Sequence, residues 1–135
     1  MTKKVVLDTS ALIIHGKGKQ NIFELCDKFF GLPQFLIPTY IKKELKRKSK
    51  GGRGIKGATK RAAKVAMQQI EQFKRAKITN PKKDAKTVDT ALLNYAERNK
   101  YPICTNDGEL RNRAKKKGIK VIYASDKYLK RVKER

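Results

Sequence analysis

Short apolar runs alternate along the chain with longer stretches whose apolar residues recur at helical spacing. The runs predict four buried strands, at Lys4 to Leu7, Gln34 to Ile37, Ile103 to Thr105 and Lys120 to Ala124. The spaced residues predict helices at Gln20 to Phe30, Thr39 to Lys48, Thr59 to Lys77, Thr87 to Asn99 and Gly108 to Lys117, with a short one after Ser125. The alternation predicts one α/β domain over residues 1–135, a three-layer α/β/α sandwich with a central parallel sheet of about four strands.

One segment has neither pattern. Residues 48–60 are rich in Gly, Lys and Arg and lack apolar spacing, which predicts a basic, flexible loop. The segment follows a predicted helix rather than a strand, and this argues against a glycine-rich nucleotide-binding loop.

The charge of the chain is strongly unbalanced. Its 135 residues include 35 Lys and Arg against 12 Asp and Glu, a formal net charge of +23, with 39% hydrophobic residues. The hydrophobic fraction supports a packed core, and the positive excess indicates a polyanionic partner. No membrane-spanning apolar stretch, signal peptide or lipidation motif is recognised, which disfavours a membrane partner. Cys26 and Cys104 lie in apolar segments, as expected of buried free thiols in an intracellular, cytoplasmic protein.

Acidic residues come where predicted strands end or where the following helices begin. Asp8 closes the first apolar run and Asp107 follows the third predicted strand, whereas Glu44 and Asp89 lie early in helices. Because ligands bind at the carboxyl ends of parallel strands, the four acids are expected to face one crevice. Clustered carboxylates repel unless a cation lies among them, and oxygen-only ligands favour Mg²⁺ or Mn²⁺. An acidic metal pocket in a basic body indicates a metal-dependent enzyme that acts on nucleic acid.

Each of these acids has a structural explanation when taken alone. Asp8, Asp89 and Asp107 are all at positions where a carboxylate caps a helix or favours its dipole. Glu44 is surrounded by lysines, with which surface ion pairs are the usual outcome. The coincidence of the four positions favours a shared site.

Other polar residues are assigned lesser roles. His15 is the only histidine, so a base-and-nucleophile triad has no second member. Asp84 lies in a lysine-rich turn and is expected to be surface charge. Asp126 is retained only as a remote candidate near the site.

Four ordered segments of the chain resemble the PIN-domain nucleases, and the resemblance covers nearly the whole chain. The segments are Val5 to Ile13 with Asp8, Ile37 to Leu45 with Glu44, Val88 to Leu93 with Asp89, and Ile103 to Leu110 with Asp107. Within the family, Thr105-Asn106-Asp107 and the helix Lys60 to Ala66 most resemble the PIN nucleases of ribosomal RNA processing in archaea and eukaryotes, of the small-subunit processome type. Glu109 stands two positions after the fourth acid, where the toxin branch often has Asp, which leaves a fifth acidic position open.

The resemblance implies a PIN-like fold and a Mg²⁺- or Mn²⁺-dependent endoribonuclease that hydrolyses phosphodiester bonds in structured or single-stranded RNA. Its catalytic acids and metal ligands are then Asp8, Glu44, Asp89 and Asp107. Thr9, Ser10, Thr105 and Asn106 are expected to orient these acids or the attacking water. The cations expected to contact RNA are Lys46, Arg47, Arg53, Lys56, Lys60, Arg61, Arg111 and Arg113, although a solvated basic surface is an alternative explanation for them.

The implied substrate is a ribosomal RNA precursor, with ribosome-assembly proteins as further partners. Two alternatives stay open, a toxin ribonuclease of a toxin–antitoxin pair and a non-catalytic RNA-binding ribosome-assembly factor. The sequence also leaves open the oligomeric state, including a homodimer.

Overall fold

A parallel sheet of five strands lies at the centre of the molecule, in a computed structural model that describes residues 3–125. The strands are β1 (Lys4–Leu7), β2 (Gln34–Pro38), β3 (Ala76–Thr79), β4 (Ile103–Thr105) and β5 (Val121–Tyr123). Their order is β3-β2-β1-β4-β5, and Val6 of β1 is in register with Leu36 on one side and Ile103 on the other. The chain therefore builds outward from β1 in two directions. In such sheets the ligand crevice lies where the order reverses, here between β1 and β4.

Six helices within the described residues flank this sheet. They are α1 (Thr9–Gly16), α2 (Ile22–Phe30), α3 (Thr39–Lys50), α4 (Gly57–Gln72), α5 (Val88–Asn99) and α6 (Gly108–Lys116). The first, third and fourth helices pack against one another, and α6 packs against β4 and β5. The predicted α/β class with a covered parallel sheet is confirmed. The short helix predicted after Ser125, and Asp126 with it, lie outside the described residues.

The predicted count of four strands was wrong by one, because β3 was assigned to a helix extending to Lys77. The helix α4 ends at Gln72, and β3 then pairs with β2 at the edge of the sheet. Arg75 fixes the entry into β3 by donating to both carboxylate oxygens of Asp27, at 2.8 and 3.0 Å. Since Lys77 and Ile78 are exposed, this edge strand has no buried apolar run to mark it in the sequence.

The basic loop is shorter than predicted. Residues 48–50 belong to α3 and residues 57–60 to α4, so that the loop spans residues 51–56. Gly51, Gly52 and Gly54 have φ values of 77°, 120° and 81°, a region that only glycine adopts readily. The glycines therefore let the chain reverse sharply, and α3 packs directly against α4.

The core surrounds β1, whose Val5, Val6 and Leu7 are fully buried. Cys26 and Cys104 are buried free thiols, as predicted. A hydrogen bond with Cys26, together with burial, raises the pKa of the Cys104 thiol. Among the helices of residues 3–125, none combines the length and the apolar character that a membrane span requires.

His15 has a structural role. Its Nδ1 accepts a hydrogen bond from the Ile22 backbone N–H at 3.2 Å, and its ring packs edge-on against Phe23. Burial lowers the pKa of this imidazole, so the neutral ring suits its apolar surroundings.

Candidate active site

The four predicted acids all follow different strands of the sheet. Asp8 comes directly after β1, Glu44 lies on α3 after β2, Asp89 on α5 after β3, and Asp107 between β4 and α6. Because every strand is parallel, these connections all leave from the same edge. The fold thus brings the acids to the carboxyl edge of the sheet, around the crevice between β1 and β4.

Asp8 occupies the N-cap position of α1, but its side chain is engaged elsewhere. Its side chain makes no capping hydrogen bond, and it is only 4% exposed. Oδ2 instead accepts hydrogen bonds from the Ser10 hydroxyl at 2.6 Å and the Thr105 hydroxyl at 2.8 Å. Thr105 belongs to β4, so the contact joins the two strands that flank the crevice. Two hydroxyl groups therefore hold this carboxylate in one orientation.

The acids perturb one another electrostatically. Burial raises the pKa of Asp8, the hydrogen bonds from Ser10 and Thr105 oppose the rise, and the charge of Glu44 adds to it. The pKa of Asp89 is raised by burial first and then by the charges of Asp8, Asp107 and Glu44. All three other acids thus act on Asp89, which is the behaviour of carboxylates that share one site.

Asp107 caps a helix and also belongs to this group of charges. Its Oδ1 accepts from the backbone N–H of Glu109 at 2.9 Å and of Leu110 at 3.2 Å. Its own N–H donates to the Thr105 hydroxyl at 3.0 Å. The cap uses only one of the two carboxylate oxygens, so the structural role and a role in the site are compatible.

The small polar residues divide into two groups. Ser10 and Thr105 have their hydroxyl oxygens 3.1 Å apart, and the Asn106 backbone N–H donates to the Ser10 hydroxyl at 2.9 Å. The Asn106 side chain donates to the Ala124 carbonyl. Thr9 lies apart from this network, since its buried hydroxyl has no partner in residues 3–125. The structure therefore places three of the four predicted orienting residues around Asp8.

Glu44 and Glu109 differ in their surroundings. Glu44 is half-buried on α3, and within the described part of the chain it forms no ion pair with its lysine neighbours. Its charge contributes instead to the raised pKa of Asp8 and of Asp89. Glu109 is exposed, and its backbone N–H donates to Asp107, so that its place as a fifth acid stays a prediction.

The donor chemistry of the four carboxylates fits a hard divalent cation. Oxygen ligands alone suit Mg²⁺ and Mn²⁺, and the mutual repulsion is relieved by positive charge. As they stand, no three His, Cys, Asp or Glu side chains in residues 3–125 are close enough to hold an ion together. Mg²⁺ keeps several waters and is commonly held by one or two carboxylates, which suits this wider spacing.

Two arginines of α6 make different contacts. Arg113 donates to the Thr90 hydroxyl at 2.9 Å, and its charge lowers the pKa of Asp89. Arg111 stacks on the Tyr123 ring at 4.4 Å, and its buried Nε has no partner within the described residues. The other predicted RNA contacts are distributed along α3, the loop and the start of α4: Lys46, Arg47, Arg53, Lys56, Lys60 and Arg61.

A groove of about 690 Å³ opens beside Glu44, and sequence reasoning did not find it. One wall is a face of α3, and the other is the connection from β3 to α5. Its lining residues are Thr39, Tyr40, Lys43, Glu44, Arg47, Asn80, Pro81, Lys82, Lys83 and Val88. Two signals were available in the sequence: the helical spacing of Tyr40, Lys43 and Arg47 around Glu44, and the Lys82-Lys83 pair after a turn.

The fold and sequence were compared with known proteins. A family profile described as PIN like domain matches residues 5–127. Ribonuclease VapC9 of Archaeoglobus fulgidus is 29% identical over 121 residues, which are 90% of this chain and 82% of that protein. The PIN domain endonuclease Utp24 superposes with a TM-score of 0.67 at 19% identity, over 90% of this chain and 85% of that chain.

A further structural neighbour is a domain of a functionally unknown protein from Methanocaldococcus jannaschii DSM 2661. It superposes with a TM-score of 0.61 at 20% identity and covers 92% of both chains. The structural likenesses agree with the parallel sheet and its flanking helices, and the family profile spans nearly all of the sequence. The chain therefore belongs to the PIN-like domain family.

Proposed function

We propose that this PIN-domain nuclease is a Mg²⁺- or Mn²⁺-dependent endoribonuclease whose working acids are Asp8, Glu44, Asp89 and Asp107. The observation that carries the proposal is the placement of the four acids after four different parallel strands, and the raised pKa of Asp89, to which the other three acids contribute, supports it. Four separate chain connections deliver these acids to one edge of the sheet. Without a cation, four neighbouring carboxylates repel one another and cost electrostatic free energy. Binding of a cation would remove this cost, which supports a metal-binding role for the acids.

The residues of the site have distinct tasks in this proposal. When bound, a divalent cation supplies a water of lowered pKa and positive charge beside the scissile phosphate. The four acids would hold the cation together, one or two of them as direct ligands and the others through the waters that it keeps. Ser10 and Thr105 keep Oδ2 of Asp8 in a fixed direction, and Arg113 adds positive charge next to Asp89. The hydroxyl contacts are made before substrate arrives, so little reorganisation is needed on binding.

RNA is the proposed substrate because of three independent features. The net charge of +23 favours a polyanion. The curated relative VapC9 is a ribonuclease by name. The Thr105-Asn106-Asp107 motif resembles that of PIN nucleases that process ribosomal RNA. A ribosomal RNA precursor is therefore the first target to test, with ribosome-assembly proteins as proposed partners.

The toxin ribonuclease alternative predicts a different substrate range and a protein inhibitor. A ribonuclease of this kind would be silenced by the product of a neighbouring gene, whereas a processing enzyme would cleave its precursor at few positions. Mapping the cleaved positions on precursor and unrelated RNA, with and without that gene product, distinguishes the two.

Asp8→Asn is the first variant that tests the catalytic proposal. The asparagine side-chain oxygen still accepts from Ser10 and Thr105, so the fold should persist while the charge is lost. We expect cleavage of a structured ribosomal RNA precursor in Mn²⁺ to fall by at least about 100-fold, as is usual when a key charged group is removed. Glu71→Gln, on an exposed position of α4, is the control and should cleave normally. Wild-type cleavage by the Asp8→Asn protein would contradict the assignment.

A further inference from the structure

We propose that the groove beside Glu44 is a nucleotide subsite, which holds the RNA nucleotide next to the scissile phosphate. The proposal rests on the proposed nuclease function, because it places this nucleotide by reference to the acids. Glu44 belongs to both the groove and the acidic group, and Val88 of the groove precedes Asp89. The groove and the acidic edge are therefore continuous.

The charge of the groove fits an anionic chain. Lys43 and Arg47 lie on its α3 wall, and Lys82 and Lys83 lie on the opposite wall, against the one acid Glu44. Cations on both sides of a cleft can contact the phosphates on either side of a bound nucleotide. The volume of about 690 Å³ falls within the range of about 300–1,000 Å³ that is usual for small-ligand sites.

An unpartnered hydroxyl in the wall points to a ligand. Tyr40 lines the groove and is only 7% exposed, yet its hydroxyl has no hydrogen-bond partner within the described residues. Burial raises the pKa of Tyr40 to about 12, so the group is a neutral donor under ordinary conditions. A buried hydroxyl without a partner is costly. A base edge or ribose hydroxyl of the bound nucleotide would supply the missing partner.

The rest of the wall is held in place without the ligand. The Thr39 hydroxyl donates to the Asn80 side-chain oxygen at 3.0 Å, which joins the start of α3 to the turn after β3. The Tyr95 hydroxyl of α5 donates to Thr79, the last residue of β3, at 3.4 Å. The buried Tyr40 hydroxyl, in contrast, has no hydrogen-bond partner in the part of the chain that the structure describes.

The test measures binding of fluorescein-labelled oligouridine by anisotropy in EDTA, where RNA cannot be cleaved with metal assistance. We expect Tyr40→Phe to weaken binding by about two- to tenfold, the usual effect of one hydrogen bond. We expect Lys82→Gln/Lys83→Gln to weaken binding and to reduce the slope of log affinity against log salt by about 1.4, at about 0.7 for each phosphate contact. The control Lys28→Gln/Lys74→Gln removes the same charge from exposed residues near the amino ends of β2 and β3, and should have little effect.

Two further readouts make each outcome decisive. The melting temperature of Tyr40→Phe should be unchanged or higher, because no internal bond is lost; a fall would assign the hydroxyl to the fold and overturn its role in binding. Groove variants that bind oligouridine like the control, while the wild type cleaves RNA, would overturn the subsite and leave the nuclease proposal standing. If the wild type does not cleave RNA but the groove variants still bind oligouridine more weakly than it does, the groove is an RNA site and the proposed nuclease function is contradicted.

Discussion

Asp8 shows how a single carboxylate is made ready for a charged role. It is buried, held by two hydroxyl groups through one oxygen, and subject to the charge of Glu44. Its position just before α1 favours a side-chain helix cap in the sequence, but in the structure the residue stands at the N-cap position without a side-chain capping hydrogen bond. The choice between a capping role and a role in the site for Asp8 thus depended on side-chain geometry, which the sequence does not contain.

The raised pKa of Asp8 leads to a stability prediction for the metal-free protein. The pKa of the Asp8 carboxyl in the folded protein lies above its ordinary value of 3.8. Such a carboxyl stabilises the fold while it is protonated, below pH 3.8. This stabilisation is lost as the pH rises through the folded-state pKa. Each unit of difference is worth about 1.4 kcal/mol. Asp8→Asn should therefore be more stable than wild type at neutral pH in EDTA, with a gain that shrinks toward pH 4.

Urea unfolding of the two proteins across this pH range checks the sign. Asp84→Asn is the matched control, because hydrogen bonds from Asn94 and Arg98 lower the pKa of Asp84, and its removal should bring no gain at neutral pH. A neutral-pH loss of stability in Asp8→Asn would show that burial does not dominate the energetics of Asp8.

Among the elements, the buried strands were predictable from the sequence, whereas the exposed edge strand β3 and the mostly buried helix α1 were not. The strands β1, β2 and β4 are apolar runs, and β5 was found near its true bounds. The edge strand β3 was missed because its central residues are exposed. No helix was assigned at α1, since Leu12, Ile13 and His15 are all buried and leave no clear polar face to mark the helical period.

The packing of α1 against α4 depends on Gly16. A Cβ atom at this position would lie 2.0 Å from the carbonyl oxygen of Ala62, a backbone clash that no rotamer relieves. We expect Gly16→Ala to destabilise the protein by about 1–3 kcal/mol, the usual cost of overpacking. Gly108→Ala is the control for chemical denaturation, because nothing lies within 4 Å of its added Cβ. Equal stability of the two variants would mean that the helices are not in close contact.

The groove was not predictable from the sequence, because it depends on how the elements pack together. Its walls come from α3 and from residues 80–83, which are distant in sequence and meet only because β3 pairs beside β2. Without β3 in the predicted sheet, the position of the turn with Lys82 and Lys83 relative to α3 could not be predicted. The acids were predictable because each follows its own strand, whereas the groove depends on the pairing of strands.

The whole molecule combines a strongly basic surface with one acidic edge. The net charge of +23 attracts a polyanion without sequence preference, and the acids occupy the switch point of the sheet where a ligand is expected. The basic residues would then bind RNA phosphates over a wide surface, and the acids would cleave the RNA at the acidic edge within that surface. We expect the four acids, which come from four separate parts of the chain, to form a single cation site.

The most direct measurement of that claim is the melting temperature with and without Mn²⁺. A ligand that binds only the folded state stabilises it by about 2.7 kcal/mol at 100 times its dissociation constant, so millimolar Mn²⁺ should raise the melting temperature of the wild type above its value in EDTA. Glu44→Gln should lose most of this rise, while Glu71→Gln, which removes an exposed carboxylate of α4, should keep it. Identical melting curves of the wild type in EDTA and in Mn²⁺, or an equal rise in the two variants, would contradict the account.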